Sequence, residues 1–376
     1  MSKALLLAPM SSVHERFNIS NIRALKKLGC EIHLAANFEV DAHSSEYGKQ
    51  IESQGIFIHH IPFERASLKK NFACIPDIQN LLKKEKFDMV HCHTETGGIL
   101  TRLAMSEYKN SKYLYTPHGM SFYKGSSLKS QCIYRPIEKF ICSKMDINFA
   151  MNSEEYDVLQ KWNKQSACFV YGVGVDFEPI LNADVDREKK CRELGIPADK
   201  KMLLSVGELN DNKNHRIIIK ALSKINQSER PHLLICGVGE LQKQLEDYAE
   251  ELNVKNSVTF AGYRYDIPEI VNIADIFVFP SFHEGLSVAL MQAMAAGLPV
   301  VCSDIRGNND LIVQDKGGFL IKPNDEFGFY NSIINLLNNE KLRHNFGEYN
   351  KNKITDYGLD KVTEDLCQVY NRVLGG

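Results

Sequence analysis

Short apolar runs alternate with stretches whose apolar residues recur every three to four positions, the rhythm of parallel strands covered by helices. Residues 3–8 (KALLLA) predict a buried strand, 15–28 a helix that Gly29 stops, and 31–36 (EIHLAA) a second strand. Further strands are predicted at 56–61, 88–92, 113–116 and 146–150, with a helix at 75–86. Between 173 and 201 the chain turns polar and punctuated, which marks a domain boundary. A second series begins with MLLSV at 202–206 and continues at 232–236, 258–260, 276–280 and 299–303. Residues 241–252 predict its clearest helix, with Leu241, Leu245, Tyr248, Ala249 and Leu252 on one side. The DIPE stretch at 266–269 has the form of a capping box with Pro268 in the first turn, and 359–374 predicts a final helix. Two doubly wound α/β domains with a ligand cleft between them are the simplest assembly.

Composition narrows the function classes. A length of 376 residues suits two domains, and 44% apolar with 24% charged residues excludes wholesale disorder. The formal net charge of −2 argues against a surface built throughout for nucleic acid. No run of about 18 apolar residues predicts a membrane span, and the N-terminal apolar stretch is too short for a secretory signal. The ten cysteines are scattered singly without a C-x-x-C pair, as free thiols in a reducing compartment would be. His91 and His93 would share one strand face, but no second pair of ligands follows, so no metal site is expected. The charge is divided unevenly: the part up to Gly172 has 22 basic and 17 acidic residues, the remainder 23 and 30.

Chemistry concentrates in residues 280–304, PSFHEGLSVALMQAMAAGLPVVCSD. A strand ends at Pro280, a loop carries His283, Glu284 and Gly285, and a helix follows at about 287–296. From 285 to 299 only Ser287 and Gln292 are polar, so this helix must be buried. The N–H groups of Leu286, Ser287 and Val288 have no intrahelical partner and make an anion site that Gly285 leaves open. Glu284 either caps the helix or accepts hydrogen bonds from sugar hydroxyls. Gln292 either bonds backbone in the core or meets a ligand. Gly237 and Gly239 form a strand-to-helix turn a ligand could approach, and Lys213 in the loop 207–214 could neutralise a diphosphate. His118 follows a predicted strand directly, at the expected cleft.

Together these phrases, with VHCHTETGGILTRLA, YTPHGMSFYKG, YRPIEKF, YGVGVDF, VGELNDNKNHRIIIKAL and FAGYRYDI, resemble the family 4 retaining glycosyltransferases over nearly the whole chain. The resemblance is to the bacterial branch that builds capsular, exopolysaccharide and O-antigen units. It implies the GT-B fold, two Rossmann-like domains facing a central cleft. Residues 1–172 would bind acceptor and 173–358 the nucleotide sugar, with the helix at about 359–376 packing back on the first domain. The implied catalytic residues are His118, Glu284 and Lys213. The implied donor-binding residues are Gly174, Gly207, Asn212, Gly237, Gly239, Tyr263, Arg264, Gly285, Leu286, Ser287 and Gln292. Gln292 stands where the family has a second glutamate that bonds the ribose hydroxyls, so the charge is lost and the acceptor oxygen kept.

The implied reaction moves a sugar, with retention, from a nucleotide donor, preferably a UDP-sugar, to a polyprenyl-diphosphate-linked saccharide, without metal or other cofactor. Residues 108–136 include five basic and no acidic residues, interleaved with Tyr113, Tyr115, Phe122, Tyr123 and Tyr134. That suits contact with anionic lipid and a cytoplasmic protein peripheral to the inner face of the membrane. A UDP-sugar 2-epimerase of the same fold and a catalytically impaired partner subunit are the alternatives.

Overall fold

The computed structural model describes residues 1–64 and 67–375, so Gly376, at the end of the predicted closing segment, lies outside the described residues. The chain divides into two compact units: Met1–Gly174 joined by the closing helix Leu359–Val373, and Val175–Gly358.

The first unit is built on seven strands: β1 (Lys3–Met10), β2 (Glu31–Asn37), β3 (Phe57–His60), β4 (Met89–His93), β5 (Lys112–Thr116), β6 (Ile147–Ala150) and β7 (Ala167–Phe169). They pair in the order β3-β2-β1-β4-β5-β6-β7, every neighbour parallel. Strand β1 is a continuous apolar run because both its faces are covered. Leu5 and Leu7 enter one core layer with Val90, Tyr115 and Ile141, while Ala4 and Leu6 enter the other with Leu34 and Phe149. The closing helix supplies Val362, Leu366 and Tyr370 to that second layer.

The second unit repeats the plan with β8 (Met202–Val206), β9 (His232–Cys236), β10 (Val258–Phe260), β11 (Ile276–Phe279), β12 (Val300–Ser303) and β13 (Gly318–Ile321). Their order is β10-β9-β8-β11-β12-β13, again all parallel. In each sheet the strand order reverses beside the first strand, between β1 and β4 and between β8 and β11. Loops at the carboxyl ends diverge there and open a crevice, the usual ligand position in such sheets.

Two expectations are corrected, and the boundary stretch, within which the units divide after Gly174, is filled in. The helix predicted over 15–28 is two helices, Ser11–Phe17 and Ile19–Lys27, parted at Asn18, whose fully buried amide donates to His14 Nδ1 at 2.9 Å. The polar stretch 173–201 carries helices Glu178–Leu181 and Arg187–Leu194. There Lys190 is buried and pairs with Asp266 at 2.8 Å, Glu193 at 3.1 Å, and Glu269. The capping box at Asp266 does not form: the helix Ile267–Ile273 starts there without a side-chain cap. Its carboxylate instead takes the Arg264 guanidinium and the Lys190 ammonium, charge-assisted contacts stronger than a neutral backbone N–H offers.

Candidate active site

The crevice of the second unit is assembled from the loops after β8 and β11. Asn212 stitches them: its Nδ2 donates to the His283 carbonyl at 3.1 Å, its Oδ1 accepts from the His283 N–H at 3.1 Å, and its own carbonyl accepts from Phe282 N at 2.8 Å. Each end of the Asn212 amide thus bonds the His283 backbone, so this residue positions the Glu284 loop. Across the seam Lys213 Nζ meets Glu284 Oε1 at 2.6 Å, with the two side chains only 18% and 12% exposed. The same ammonium lies 4.8 Å from the centre of the Phe279 ring. Asn210 and Asn214 fix the lysine's backbone on either side, Asn210 Oδ1 accepting from Lys213 N and Asn214 Nδ2 donating to the Pro280 and Pro323 carbonyls.

The glycines of the neighbouring turn serve the protein's own backbone. A Cβ at Gly237 would strike the Gly207 carbonyl, and one at Gly239 would stand 2.6 Å from Leu209 N. At Gly207 a Cβ would come within 3.2 Å of Lys213 Cδ and Cε, so the missing side chain makes room for the lysine stem. The close approach attributed to a ligand at 237–239 is made by the 207–209 segment, with Leu209 N donating to the Val238 carbonyl at 3.0 Å.

Beyond Glu284 the helix Val288–Ala295 begins, capped by Ser287, whose Oγ accepts from Leu290 N at 3.4 Å. Leu290, Met291, Ala293 and Met294 are buried, as its apolar sequence requires. The N–H groups of Gly285 and Leu286 donate to no backbone carbonyl among the described residues, which leaves backbone dipoles directed outward ahead of this helix. Arg306, which the sequence reading passed over, donates from Nε to the Glu284 carbonyl at 3.4 Å and adds a second cation beside this loop. Gln292 is half-buried one turn further on. Tyr263 is 62% exposed just past β10. Arg264 is committed elsewhere: its guanidinium forks onto Asp266 and reaches Glu193 at 2.8 Å, which holds the Asp266 carboxyl well below the usual carboxylate range. In this arrangement the Arg264 side chain braces the start of the helix Ile267–Ile273.

His118 and Gly174 belong to the first unit. An added Cβ on Gly174 would stand 3.1 Å from Leu359 Cα, so this glycine serves the packing of the closing helix. His118 lies just beyond β5 with a left-handed backbone, φ +57°. Its Nε2 is 3.0 Å from His93 Nδ1 at the end of β4, and its ring lies 5.3 Å from that of Phe17. His14, from the helix after β1, completes this edge of the sheet. Burial first, and His14 second, lower the His118 pKa to about 4, so its imidazole is neutral at physiological pH. His91 and His93 do share one face of β4, whereas Cys92 turns to the other and donates to the Leu114 carbonyl. Among the described residues no group of three or more His, Cys, Asp or Glu is placed to hold a metal ion. His14 and His93 were not read as site residues; the H-x-H alternation at a strand end was the available signal.

The basic stretch 108–136 is also rearranged. Tyr113, Tyr115 and Phe122 are core residues, with Tyr115 Oη donating to Glu138 at 2.9 Å. The exposed apolar groups are instead Leu128, Ile133, Tyr134 and Phe140 on the helix Leu128–Cys142, among Lys129, Arg135 and Lys139.

Comparison with known proteins agrees with this division. The family described as glycosyl transferase 4-like matches residues 3–152, and the family glycosyl transferases group 1 matches 186–353. The putative glycosyltransferase EpsD of Bacillus subtilis is 28% identical, covering 99% of this chain and 97% of its own length. The UDP-Gal:alpha-D-GlcNAc-diphosphoundecaprenol alpha-1,3-galactosyltransferase of Escherichia coli is also 28% identical, covering 96% and 98%. The crystal structure of Anabaena Alr3699/HepE with UDP and glucose superposes with a TM-score of 0.80 at 16% identity, over 99% of this chain and all of that one. A lysine–glutamate pair at the switch point of one sheet, a histidine edge on the other, and family matches over both units lead to one conclusion: the chain belongs to the GT-B glycosyltransferases, its first unit 4-like and its second of group 1.

Proposed function

We propose that this enzyme transfers a sugar, with retention, from a UDP-sugar to a polyprenyl-diphosphate-linked saccharide in surface polysaccharide biosynthesis. The observation that carries the reading is the 2.6 Å Lys213–Glu284 pair at the mouth of the helix Val288–Ala295. A diphosphate leaving group gains negative charge as its bond to the anomeric carbon lengthens. Lys213 and the N–H groups of Gly285 and Leu286 supply positive charge where that negative charge develops. Glu284 holds the ammonium in place before donor arrives and keeps a negative charge near the oxocarbenium-like carbon. The acceptor hydroxyl forms its bond on the face the diphosphate leaves, and its proton passes to the departing phosphate oxygen. These cations do the work a metal ion does in other transferases, so the reading asks for none.

The donor and acceptor classes draw support from the named activity of the Escherichia coli relative and the UDP bound by the Anabaena neighbour. No helix among the described residues is long and apolar enough to cross a membrane. A lipid-borne acceptor would instead be met at the membrane's inner face by the helix Leu128–Cys142, whose outward apolar groups sit among basic ones. The test is a panel of UDP- and GDP-sugars with membrane extract as acceptor, with and without EDTA, read by product mass spectrometry. A lipid-linked saccharide one sugar longer, formed from a UDP-sugar in EDTA, is expected. An epimerised nucleotide sugar without transfer, or no UDP binding at millimolar concentration, would overturn the reading.

A further inference from the structure

His93 is fully buried, and its only hydrogen bond among the described residues goes to His118, Nδ1 to Nε2 at 3.0 Å. Its own Nε2 is buried without a partner. An apolar side chain of similar volume would fill this place without leaving a buried polar nitrogen unsatisfied, which is costly. Its ring is immobilised by its neighbour: His91 lies against it with ring centres 4.1 Å apart. His91 is pinned at both nitrogens, by Tyr370 Oη at 2.8 Å and by Thr116 Oγ1 at 2.8 Å. The next residues in the chain after Thr116 are Pro117 and His118.

We propose that His93 is a positioning residue that fixes the tautomer and orientation of His118, so that His118 offers a neutral Nδ1–H donor to a ligand oxygen. The direction of the shared proton follows from the orphaned nitrogen. If His118 donated, His93 Nδ1 would be the acceptor and its single ring proton would sit on Nε2, a buried N–H without an acceptor, the rarer kind of unsatisfied group. If His93 donates from Nδ1, its Nε2 is a bare lone pair and His118 Nε2 is the acceptor. The His118 proton is then on Nδ1, the nitrogen the protein leaves free. The left-handed backbone at His118 is held by the same contacts, the His93 bond on one side and the Phe17 ring on the other. In catalysis this arrangement supplies a donor of fixed direction that needs no reorganisation when substrate binds.

The inference rests on the proposed role of His118, and two measurements separate them. Long-range 1H–15N spectra of the full chain with 15N-labelled histidine are expected to show His118 protonated on Nδ1 in the wild type. In His93→Phe that preference is expected to disappear. Turnover is followed as UDP released from whichever of UDP-glucose, UDP-galactose or UDP-N-acetylglucosamine the donor panel shows to be used. His93→Phe is expected to lower kcat about 10–100-fold with the donor KM nearly unchanged. His93→Asn can place an amide N–H where Nδ1 stood and is expected to restore most of the loss, whereas His93→Gln is not. A His118 protonated on Nε2 in the wild type, or equal losses in the Asn, Gln and Phe variants, would overturn the inference. His118→Ala at wild-type turnover would overturn the role of His118 itself. An inactive His118→Ala beside a fully active His93→Phe would overturn only the part assigned to His93.

Discussion

Replacing Glu284 by Gln separates two effects that the Lys213–Glu284 pair combines. At 2.6 Å, with both side chains less than one-fifth exposed, the pair is neither a solvated surface contact nor a fully buried one. Its Coulomb energy is about 6 kcal/mol at an effective dielectric of 20 and about 1.6 kcal/mol in bulk water. A diphosphate arriving at the crevice must draw the ammonium away from this partner and approach a carboxylate of its own sign. Glu284→Gln removes both costs while keeping the shape of the side chain, and recovering even 1–2 kcal/mol would tighten UDP binding about 5- to 30-fold. Turnover should move the other way, falling about 100-fold or more as the charge near the anomeric carbon is lost. Lys213→Met should weaken UDP binding, because it removes the cation and leaves Glu284 unpaired beside the phosphates. Calorimetric titration with UDP and initial rates on the same preparations give both quantities. If Glu284→Gln weakened UDP binding, Glu284 would be a direct ligand of the nucleotide and the competition described here would be wrong.

Three further outcomes are expected. Glu138 is buried, and burial first of all pushes its carboxyl up to about 8 from the ordinary 4.5. The fold therefore holds a proton that the unfolded chain releases, so this group's contribution is complete below pH 4.5 and fades as pH rises through 8. Between pH 6 and 8 the wild type should lose about 2 kcal/mol through it, and Glu138→Gln should abolish that slope in urea unfolding. Gln292→Glu should tighten donor binding roughly tenfold if the residue faces the ribose, since a carboxylate accepts more strongly than an amide; unchanged affinity in calorimetry would rule that contact out. Replacing Leu128, Ile133 and Phe140 by Ser should abolish co-sedimentation with anionic vesicles without altering UDP binding, and retained sedimentation would dismiss this helix as the lipid contact.

The parts legible in the sequence were those whose signal is local. β1 and β11 announce themselves as apolar runs because each is buried on both faces, and the helix at 288–295 by its near lack of polar residues. The Lys213 and Glu284 motifs could be placed at strand ends, and the structure brings them into contact. What stayed hidden depended on partners far along the chain. Lys190 and Arg264 are 74 positions apart, and nothing local says that both serve Asp266. The alternation of aromatic and basic residues after 108 looked like a surface, yet Tyr115 goes inward because Glu138 is there to accept its hydroxyl. Asn212 and Gly237 carry ligand-like signatures, but the group each accommodates is another backbone segment of the same unit.

The closing helix imposes an order of events during synthesis. Val362, Leu366 and Tyr370 belong to the core of the first unit, and the Tyr370 hydroxyl bonds His91 in the middle of its sheet. Between Gly174 and Leu359 the ribosome must make the whole second unit, which takes on the order of ten to forty seconds at about 5–20 residues per second. Throughout that interval Leu25, Leu34 and Phe149 lack the helix that covers them, and His91 lacks its tyrosine. The nascent chain therefore carries a sticky, incompletely covered sheet for about half of its translation, a binding surface for chaperones that vanishes only when the closing helix docks.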